Sequence, residues 1–238
     1  MSTPLLEVRD LVAGYDGPDV LRGVGVRVDA GELVTIVGPN GHGKSTLLRA
    51  ISGLLRIRRG QVLVGGADMT GKPPDAIAAC GIAHVPQGDL LFPDMSVGEN
   101  LLMGAYLERD RAALQRRLEE VYTFLPRLAE RRRQSASTLS GGERRMAGIG
   151  RGLMMGAKLL LLDEPSLGLA PLIIDQIYEL IARLRGEGRS ILLVEENPAR
   201  VVGLADRLHL LDDGHIVWSG PPAELLGREE LIATYLGG

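Results

Sequence analysis

The amino-acid sequence predicts an α/β fold with a parallel sheet, antiparallel strands at the N-terminus and an inserted helical subdomain. Three observations support this class. The apolar runs 33–37, 159–162 and 190–194 have the length and composition of buried parallel strands. Residues 5–30 alternate between apolar and polar side chains, as antiparallel strands do. Between 96 and 134, leucine and valine recur near the helical spacing, which predicts the helical subdomain.

The first elements are delimited by glycine and proline. Gly14–Pro18 is predicted to form the turn between the two N-terminal strands. The parallel core is predicted to begin at Glu32 and to resume, after an interruption, with the strand Gln61–Val64. Pro73-Pro74 then opens a short helix, because proline is favoured in the first helical turn.

The core is predicted to return at Lys158, after the helical segment. Leu172–Arg185 has the pattern of a crossover helix between two buried strands. Two further strands are expected between Asp206 and Trp218, around the turn Asp212-Asp213-Gly214. A chain of 238 residues can bury one substantial core, so we expect one domain with an appended subdomain.

A glycine-rich segment matches the pattern G-x-x-x-x-G-K-[ST] between a predicted strand and a predicted helix. Its glycines allow backbone N–H groups to face phosphate oxygens, and the helix presents its positive end to them. Lys44 is predicted to contact the β- and γ-phosphates, and the Ser45 hydroxyl to ligate Mg²⁺. An ordinary glycine-rich turn is the alternative, and the complete pattern disfavours it. The predicted nucleotide-binding residues of the loop are Gly38, Pro39, Asn40, Gly41, His42, Gly43, Lys44, Ser45 and Thr46.

Two acids follow the apolar run Leu159–Leu162. Asp163 is predicted to hold Mg²⁺, as the corresponding aspartate of phosphate-loop proteins does. Glu164 stands at the carboxyl end of the strand, where ligands of open α/β sheets bind, and it can accept a proton from an attacking water. Alone, such acids are typical of a solvated strand end. The phosphate loop upstream favours the catalytic interpretation.

The residues Leu139-Ser140-Gly141-Gly142-Glu143 lie between these two motifs. With them the chain resembles the ATP-binding subunit of an ABC transporter, whose signature reads Leu-Ser-Gly-Gly-Gln. The resemblance covers about Leu6 to the C-terminus and implies a single ABC ATP-binding domain over 1–238, with a helical subdomain at about 96–155. It also implies that Ser140, Gly141 and Gly142 contact the γ-phosphate held by the opposite subunit of a dimer. Serine is a good helix N-cap, and the glycines expose backbone N–H groups.

The same resemblance assigns three more residues. Tyr15 matches the aromatic residue that stacks on adenine; the alternative is a tyrosine packed on the core at a strand end. Gln87 matches the glutamine that contacts Mg²⁺ and the attacking water, and an amide can both accept and donate. Glu196 occupies the position of a γ-phosphate-sensing histidine and is our third catalytic candidate, with Gln87 and Glu164.

Several segments resemble one of the two ATPases of branched-chain amino acid importers. This resemblance implies ATP and Mg²⁺ as cofactors and a peripheral location on the cytoplasmic face of the bacterial inner membrane. The implied partners are a second ABC ATPase or a second copy of this chain, two integral membrane permeases and, indirectly, a periplasmic solute-binding protein. An importer for urea or short-chain amides is the alternative. The segments are Val85–Leu101, Pro165–Pro171, Val194–Asn197 and Tyr235–Gly238.

Three residues depart from the wider ABC pattern. Glu143 replaces the signature glutamine, Ala170 replaces an aspartate of the crossing loop, and Glu196 replaces the histidine. A histidine or an amide can donate a hydrogen bond to phosphate, whereas a carboxylate only accepts and repels it. We therefore expect a weak ATPase site that works opposite a stronger one.

Composition limits the other possibilities. The net charge is −3, and the arginines of 109–117 and 131–133 are expected on a solvated helical face, so no nucleic-acid partner is predicted. Cys80 is the only cysteine, which excludes an intrachain disulfide. No apolar run approaches the roughly 20 residues that span a bilayer. A soluble ABC switch and an exporter of lipid or polysaccharide remain as weaker alternatives.

Overall fold

A computed structural model describes residues 3–88, 90–228 and 230–231. The terminal Tyr235–Gly238, which we used for the importer resemblance, lies outside the described residues. The strands are β1 (Leu6–Ala13), β2 (Leu21–Val28), β3 (Leu33–Val37), β4 (Ile57–Val64), β5 (Ala67–Asp68), β6 (Ile82–Val85), β7 (Leu159–Asp163), β8 (Ser190–Glu195), β9 (Arg207–Asp212) and β10 (His215–Gly220). The α-helices are α1 (Lys44–Ile51), α2 (Pro74–Ala79), α3 (Val97–Gly104), α4 (Arg111–Phe124), α5 (Pro126–Glu130), α6 (Gly141–Met154), α7 (Pro171–Gly186) and α8 (Pro222–Leu226).

Four strands form an antiparallel sheet in the order β2-β1-β4-β5. Leu6 lies opposite both Val28 and Val64, so the three long strands present their alternate apolar residues to one core. Our assignment of Gln61–Val64 to the parallel core is wrong. The strand begins earlier, at Ile57, and pairs antiparallel with β1. Its Val62 and Val64 are buried beside more exposed neighbours, which is the alternation of a strand with one buried face.

The second sheet has six strands in the order β10-β9-β3-β8-β7-β6, and β10 is antiparallel to β9. Strands β3, β7 and β8 are buried along their whole length, because both faces of this sheet are covered. The register pairs Val37 with Glu195, and Asp163 with Val194. The carboxyl ends of these strands therefore meet at one edge of the sheet. The α/β class with a parallel sheet and N-terminal antiparallel strands is confirmed.

Alternate residues of the parallel strands face two hydrophobic cores. Leu160 and Leu162 pack with the helices that include α3, α4, α6 and α7. Leu159 and Leu161 pack with α1 and the antiparallel sheet. The parallel sheet is thus the middle layer, and its carboxyl edge is held rigidly from both sides.

The segment predicted to be helical contains α3, α4 and α5, and α6 follows before β7. Helix α3 begins with a capping box between Ser96 and Glu99, which satisfies the free N–H groups of its first turn. Gly150 of α6 lies so close to α3 that a Cβ atom there would be 2.9 Å from the Leu101 side chain. In the part of the chain that the structure describes, no helix is long and apolar enough to cross a membrane.

Candidate nucleotide-binding site

The loop between β3 and α1 is shaped by glycine. Gly43 is the N-cap of α1 with φ 109°, a left-handed conformation that favours glycine. Gly38 has no room for a side chain, because a Cβ atom would lie 2.1 Å from the Leu211 carbonyl oxygen of β9. The sequence therefore places backbone N–H groups and the start of α1 at the carboxyl edge of the parallel sheet.

Lys44 folds back across this loop. Its Nζ atom donates to the carbonyl oxygens of Gly38 at 2.8 Å and Pro39 at 3.0 Å, and it lies 3.0 Å from Glu164 Oε1. The Lys44 and Glu164 side chains are only 3% and 7% exposed. A phosphate that binds the Lys44 ammonium must therefore replace Glu164 as its anionic partner.

Ser45 and Asp163 are directly linked. Ser45 Oγ donates to Asp163 Oδ1 at 2.8 Å. Burial raises the pKa of Asp163, and the neighbouring Glu164 adds to this effect, although the Ser45 hydrogen bond opposes it. A hydroxyl and a carboxylate oxygen are donors of the kind that Mg²⁺ prefers. Within the described ranges, no group of three or more His, Cys, Asp or Glu residues could hold a metal ion. Mg²⁺ usually takes one or two protein oxygens together with phosphate and water.

Glu164 has an unusual backbone. Its φ of 43° is left-handed, and its N–H group donates to the Val194 carbonyl oxygen at 3.1 Å. For a residue other than glycine this conformation costs on the order of 1 kcal/mol and persists where the surroundings hold it. Gln87 Nε2 lies 3.5 Å from Glu164 Oε2, at the limit of a hydrogen bond.

These residues meet around one cavity of about 300 Å³. The structure thus brings together the phosphate loop, Glu164 and Gln87, and it joins Asp163 to them through Ser45. The lining residues are Asn40, Gly41, Gly43, Lys44, Ser45, Thr46, Gln87, Glu164 and Leu167.

Tyr15 lies outside this lining. It borders a separate cavity with Asp16 and Arg58, and the residue is 47% exposed, so it is not buried in the core. Arg49 of α1 donates from Nη1 to the Tyr15 hydroxyl at 3.0 Å. Sequence reasoning missed this arginine, since nothing in its local pattern indicates a contact with Tyr15.

The signature residues begin α6, and Ser140, Gly142 and Glu143 line a different cavity from the phosphate loop. Ser140 Oγ donates to Glu143 Oε2 at 2.9 Å and accepts from the Glu143 N–H group at 3.3 Å, which is a capping box. The N–H group of Ser140 lowers the pKa of Glu143, and Arg131 lies 3.0 Å from this carboxylate. The acid that replaces the signature glutamine therefore caps its own helix and pairs with Arg131.

Glu196 and His42 do not line the cavity. The Glu196 side chain is exposed, and its N–H group donates to Glu195 Oε2 at 2.9 Å. His42 Nδ1 accepts from the Asp213 N–H group at 3.0 Å, so this residue fastens the loop to the β9–β10 turn. Glu195 itself was overlooked. An acid inside the buried run Ser190–Glu195 is the signal that could have indicated it, because buried carboxylates need partners.

A strand, a glycine-rich loop and a helix that carries Lys44, with two acids on an adjacent parallel strand, define a phosphate-loop nucleotide-binding protein. A sequence model described as ABC transporter matches residues 21–167, and the chain belongs to that family. Our identification from the sequence is thereby confirmed. The chain is an ATP-binding subunit that hydrolyses ATP for a membrane transporter.

Curated relatives match almost the whole chain. The high-affinity branched-chain amino acid transport ATP-binding protein BraG of Pseudomonas aeruginosa is 45% identical, over 96% of this chain and 98% of its own length. A probable branched-chain amino acid transport ATP-binding protein of Archaeoglobus fulgidus is 36% identical, over 98% and 99%. The lipopolysaccharide export system ATP-binding protein LptB of Escherichia coli is 32% identical, over 98% and 97%.

Solved structures agree with the fold. The crystal structure of the ADP conformation of an ATP-binding cassette of an ABC transporter superposes with a TM-score of 0.86 at 27% identity, covering 97% of this chain and 98% of that one. A nucleotide-free ATP-binding cassette gives 0.84 at 28% identity, with 94% of both chains covered.

Proposed function

We propose that this chain is the MgATP-hydrolysing subunit of an importer for branched-chain amino acids. The observation that carries the ATPase part is the meeting of Lys44, Glu164 and the Ser45–Asp163 pair at one sheet edge. The substrate class is supported by the two branched-chain transport relatives, at 45% and 36% identity. The lipopolysaccharide export relative is also similar, at 32% identity, so an exporter is the second candidate.

The site residues have distinct roles in hydrolysis. Lys44 and the loop N–H groups bind the phosphates, and the start of α1 favours the same negative charge. Glu164 orients the attacking water and accepts its proton. Gln87, with its amide 3.5 Å from Glu164, contacts the same water. Ser45, Asp163 and Gln87 would hold Mg²⁺, which neutralises charge on the phosphate oxygens when it is bound.

Two further nucleotide contacts belong to the proposal. Tyr15 stacks on adenine; this residue is exposed, and Arg49 holds its hydroxyl group by a hydrogen bond. Ser140, Gly141 and Gly142 cap the phosphate of the partner subunit, which agrees with their separation from this chain's own loop.

The chain acts as one ABC ATP-binding domain, with residues 96–155 as its helical subdomain. Its partners are membrane permeases, and the dimer includes a second ABC ATPase or a second copy of this chain. The complex receives solute from a periplasmic binding protein and holds this subunit peripherally on the cytoplasmic face of the inner membrane.

The permease docks in a groove between β6, α3 and α6. This groove has a volume of about 740 Å³ and an apolar rim, which suits a helix end of a membrane protein. It also adjoins Pro86, next to Gln87, so docking there is coupled to the ATPase site. The exposed apolar side chains of the rim are Leu90, Phe92, Met103, Tyr106 and Leu107.

Co-purification from detergent-solubilised membranes tests the assembly. Affinity-tagged wild type should bring down two permeases, and proteoliposomes of the complex should take up labelled leucine when MgATP is present. Leu107→Glu should lose the permeases, whereas Leu54→Glu should keep them, since both leucines are about 60% exposed and only Leu107 lies on the groove. Recovery of no permease contradicts the transporter assignment. If the complex takes up urea or amides but does not take up leucine, the importer is one for urea or amides and the proposed substrate class is wrong.

A further inference from the structure

The Glu195 carboxylate is buried at the end of β8, with only 2% of the residue exposed. Its Oε1 atom accepts hydrogen bonds from the hydroxyl groups of Ser166 and Tyr178, the latter at 2.5 Å. Its Oε2 atom accepts from the Glu196 N–H group at 2.9 Å and lies 3.8 Å from Arg200 Nη1. Arg200 also donates to Ser166 Oγ at 2.6 Å, which closes the network.

This network joins two loops that leave adjacent strands. Ser166 follows Glu164 after β7, whereas Glu196 and Arg200 follow β8. The strands are paired up to Asp163 and Val194, so the two loops start side by side. A buried carboxylate is tolerated only when its oxygens are paired, and a fully paired network favours one arrangement of its members. Burial and the charge of Glu195 raise the pKa of Tyr178, so this hydroxyl stays protonated as a donor.

We propose that Glu195 is a positioning residue that sets the direction of the residue 196 side chain relative to Glu164. Its Oε2 atom holds the backbone N–H group of residue 196, and its Oε1 atom holds the loop that begins at Glu164. Together, these two hydrogen bonds of Glu195 set the distance between the residue 196 side chain and Glu164. This inference rests on the proposed role of Glu164 and residue 196 in hydrolysis.

A double-mutant cycle tests the proposal. Glu195→Gln keeps the shape of the side chain, but an amide accepts at only one end, so one of the two loops loses its bond. Single-turnover ATP hydrolysis is measured for wild type, Glu195→Gln, Glu196→His and the double variant. We expect the effect of Glu196→His on the rate to differ by at least about fivefold between the two backgrounds, as for residues in one network. MgATP affinity should stay within about twofold, since Lys44 and its loop are untouched.

Control variants separate positioning from general stability. Glu187→Gln changes an exposed glutamate at the end of α7 and should give additive effects with Glu196→His. Tyr178→Phe and Ser166→Ala each remove one donor to Glu195 Oε1, and they carry the same cycle if Glu195→Gln does not fold.

The outcomes are distinguishable. Additive effects within about twofold in a chain that hydrolyses ATP overturn the positioning role and leave the proposed function intact. Absence of hydrolysis in wild type, alone and with its permeases, contradicts the proposed function and this inference together.

Discussion

Lys44→Ala should abolish nucleotide binding and also lower the stability of the fold. In the structure this side chain is buried, and its Nζ atom lies 3.0 Å from the Glu164 carboxylate. Alanine removes the cation that phosphates need, and it leaves the Glu164 charge without its partner. The two effects have different causes, so a second substitution can separate them.

The expected magnitudes follow from this burial. Breaking a buried ion pair by truncating one partner costs about 3–5 kcal/mol. Glu164 borders a cavity of about 300 Å³ that water can enter, so we expect the lower end, about 3 kcal/mol. For ATP, loss of two charge-assisted hydrogen bonds at about 1.5–3 kcal/mol each lowers affinity by at least about a hundredfold.

Urea unfolding and isothermal titration with MgATP measure the two effects. The double variant Lys44→Ala with Glu164→Gln should recover most of the lost stability, because no buried charge is left unpaired, and it should still not bind ATP. Lys72→Ala, at an exposed lysine, should change neither quantity. Wild-type affinity in Lys44→Ala would refute the phosphate-loop assignment. Equal instability of the single and double variants would refute the ion-pair reasoning.

Three other perturbations concern the dimer contact, residue 196 and the buried histidines. Ser140→Arg should spare ATP binding and block ATP-driven dimer closure in light scattering, because the arginine fills the space of the partner's phosphate; normal closure contradicts the trans arrangement. Glu196→His should raise the ATP turnover of the homodimer about fivefold, because a histidine donates a hydrogen bond to phosphate whereas a carboxylate repels it. Unchanged turnover would show that residue 196 does not contact the phosphate. Burial lowers the pKa of His84 and of His209 from 6.5 to about 4, and the charges of Arg49 and Arg207 add to this. As pH falls, the unfolded chain takes up these two protons at a higher pH than the folded chain does. The free energy of unfolding should therefore fall as pH drops from 6.5 toward 4, by about 2 kcal/mol per histidine at pH 5. His209→Gln should flatten that decline in urea titrations at several pH values; an unaltered slope would contradict it.

The nucleotide site was predictable where the chemistry is local. The phosphate loop needs its glycines, Lys44 and Ser45 in one contiguous pattern, and Asp163 and Glu164 follow a run with the profile of a buried parallel strand. Because carboxyl ends of parallel strands share one edge, the fold class also predicts that these segments meet.

What the sequence did not predict depends on contacts between distant segments. Gln61–Val64 resembles a short core strand, and only its pairing with β1 reveals the antiparallel sheet. The Lys44–Glu164 ion pair and the Glu195 network join residues whose spacing follows no local period. The exposed position of the Glu196 side chain and the hydrogen bond from its N–H group to Glu195 Oε2 follow no local pattern either.

Single-turnover hydrolysis of ATP by Glu164→Gln examines the catalytic centre itself, with Glu187→Gln, at an exposed glutamate after α7, as the control. Glu164→Gln should bind MgATP at least as tightly as wild type, since Lys44 is freed from its carboxylate partner. Hydrolysis by Glu164→Gln should fall by at least about a hundredfold, while Glu187→Gln keeps the wild-type rate. A wild-type hydrolysis rate in Glu164→Gln would contradict the assignment of this site as the catalytic centre.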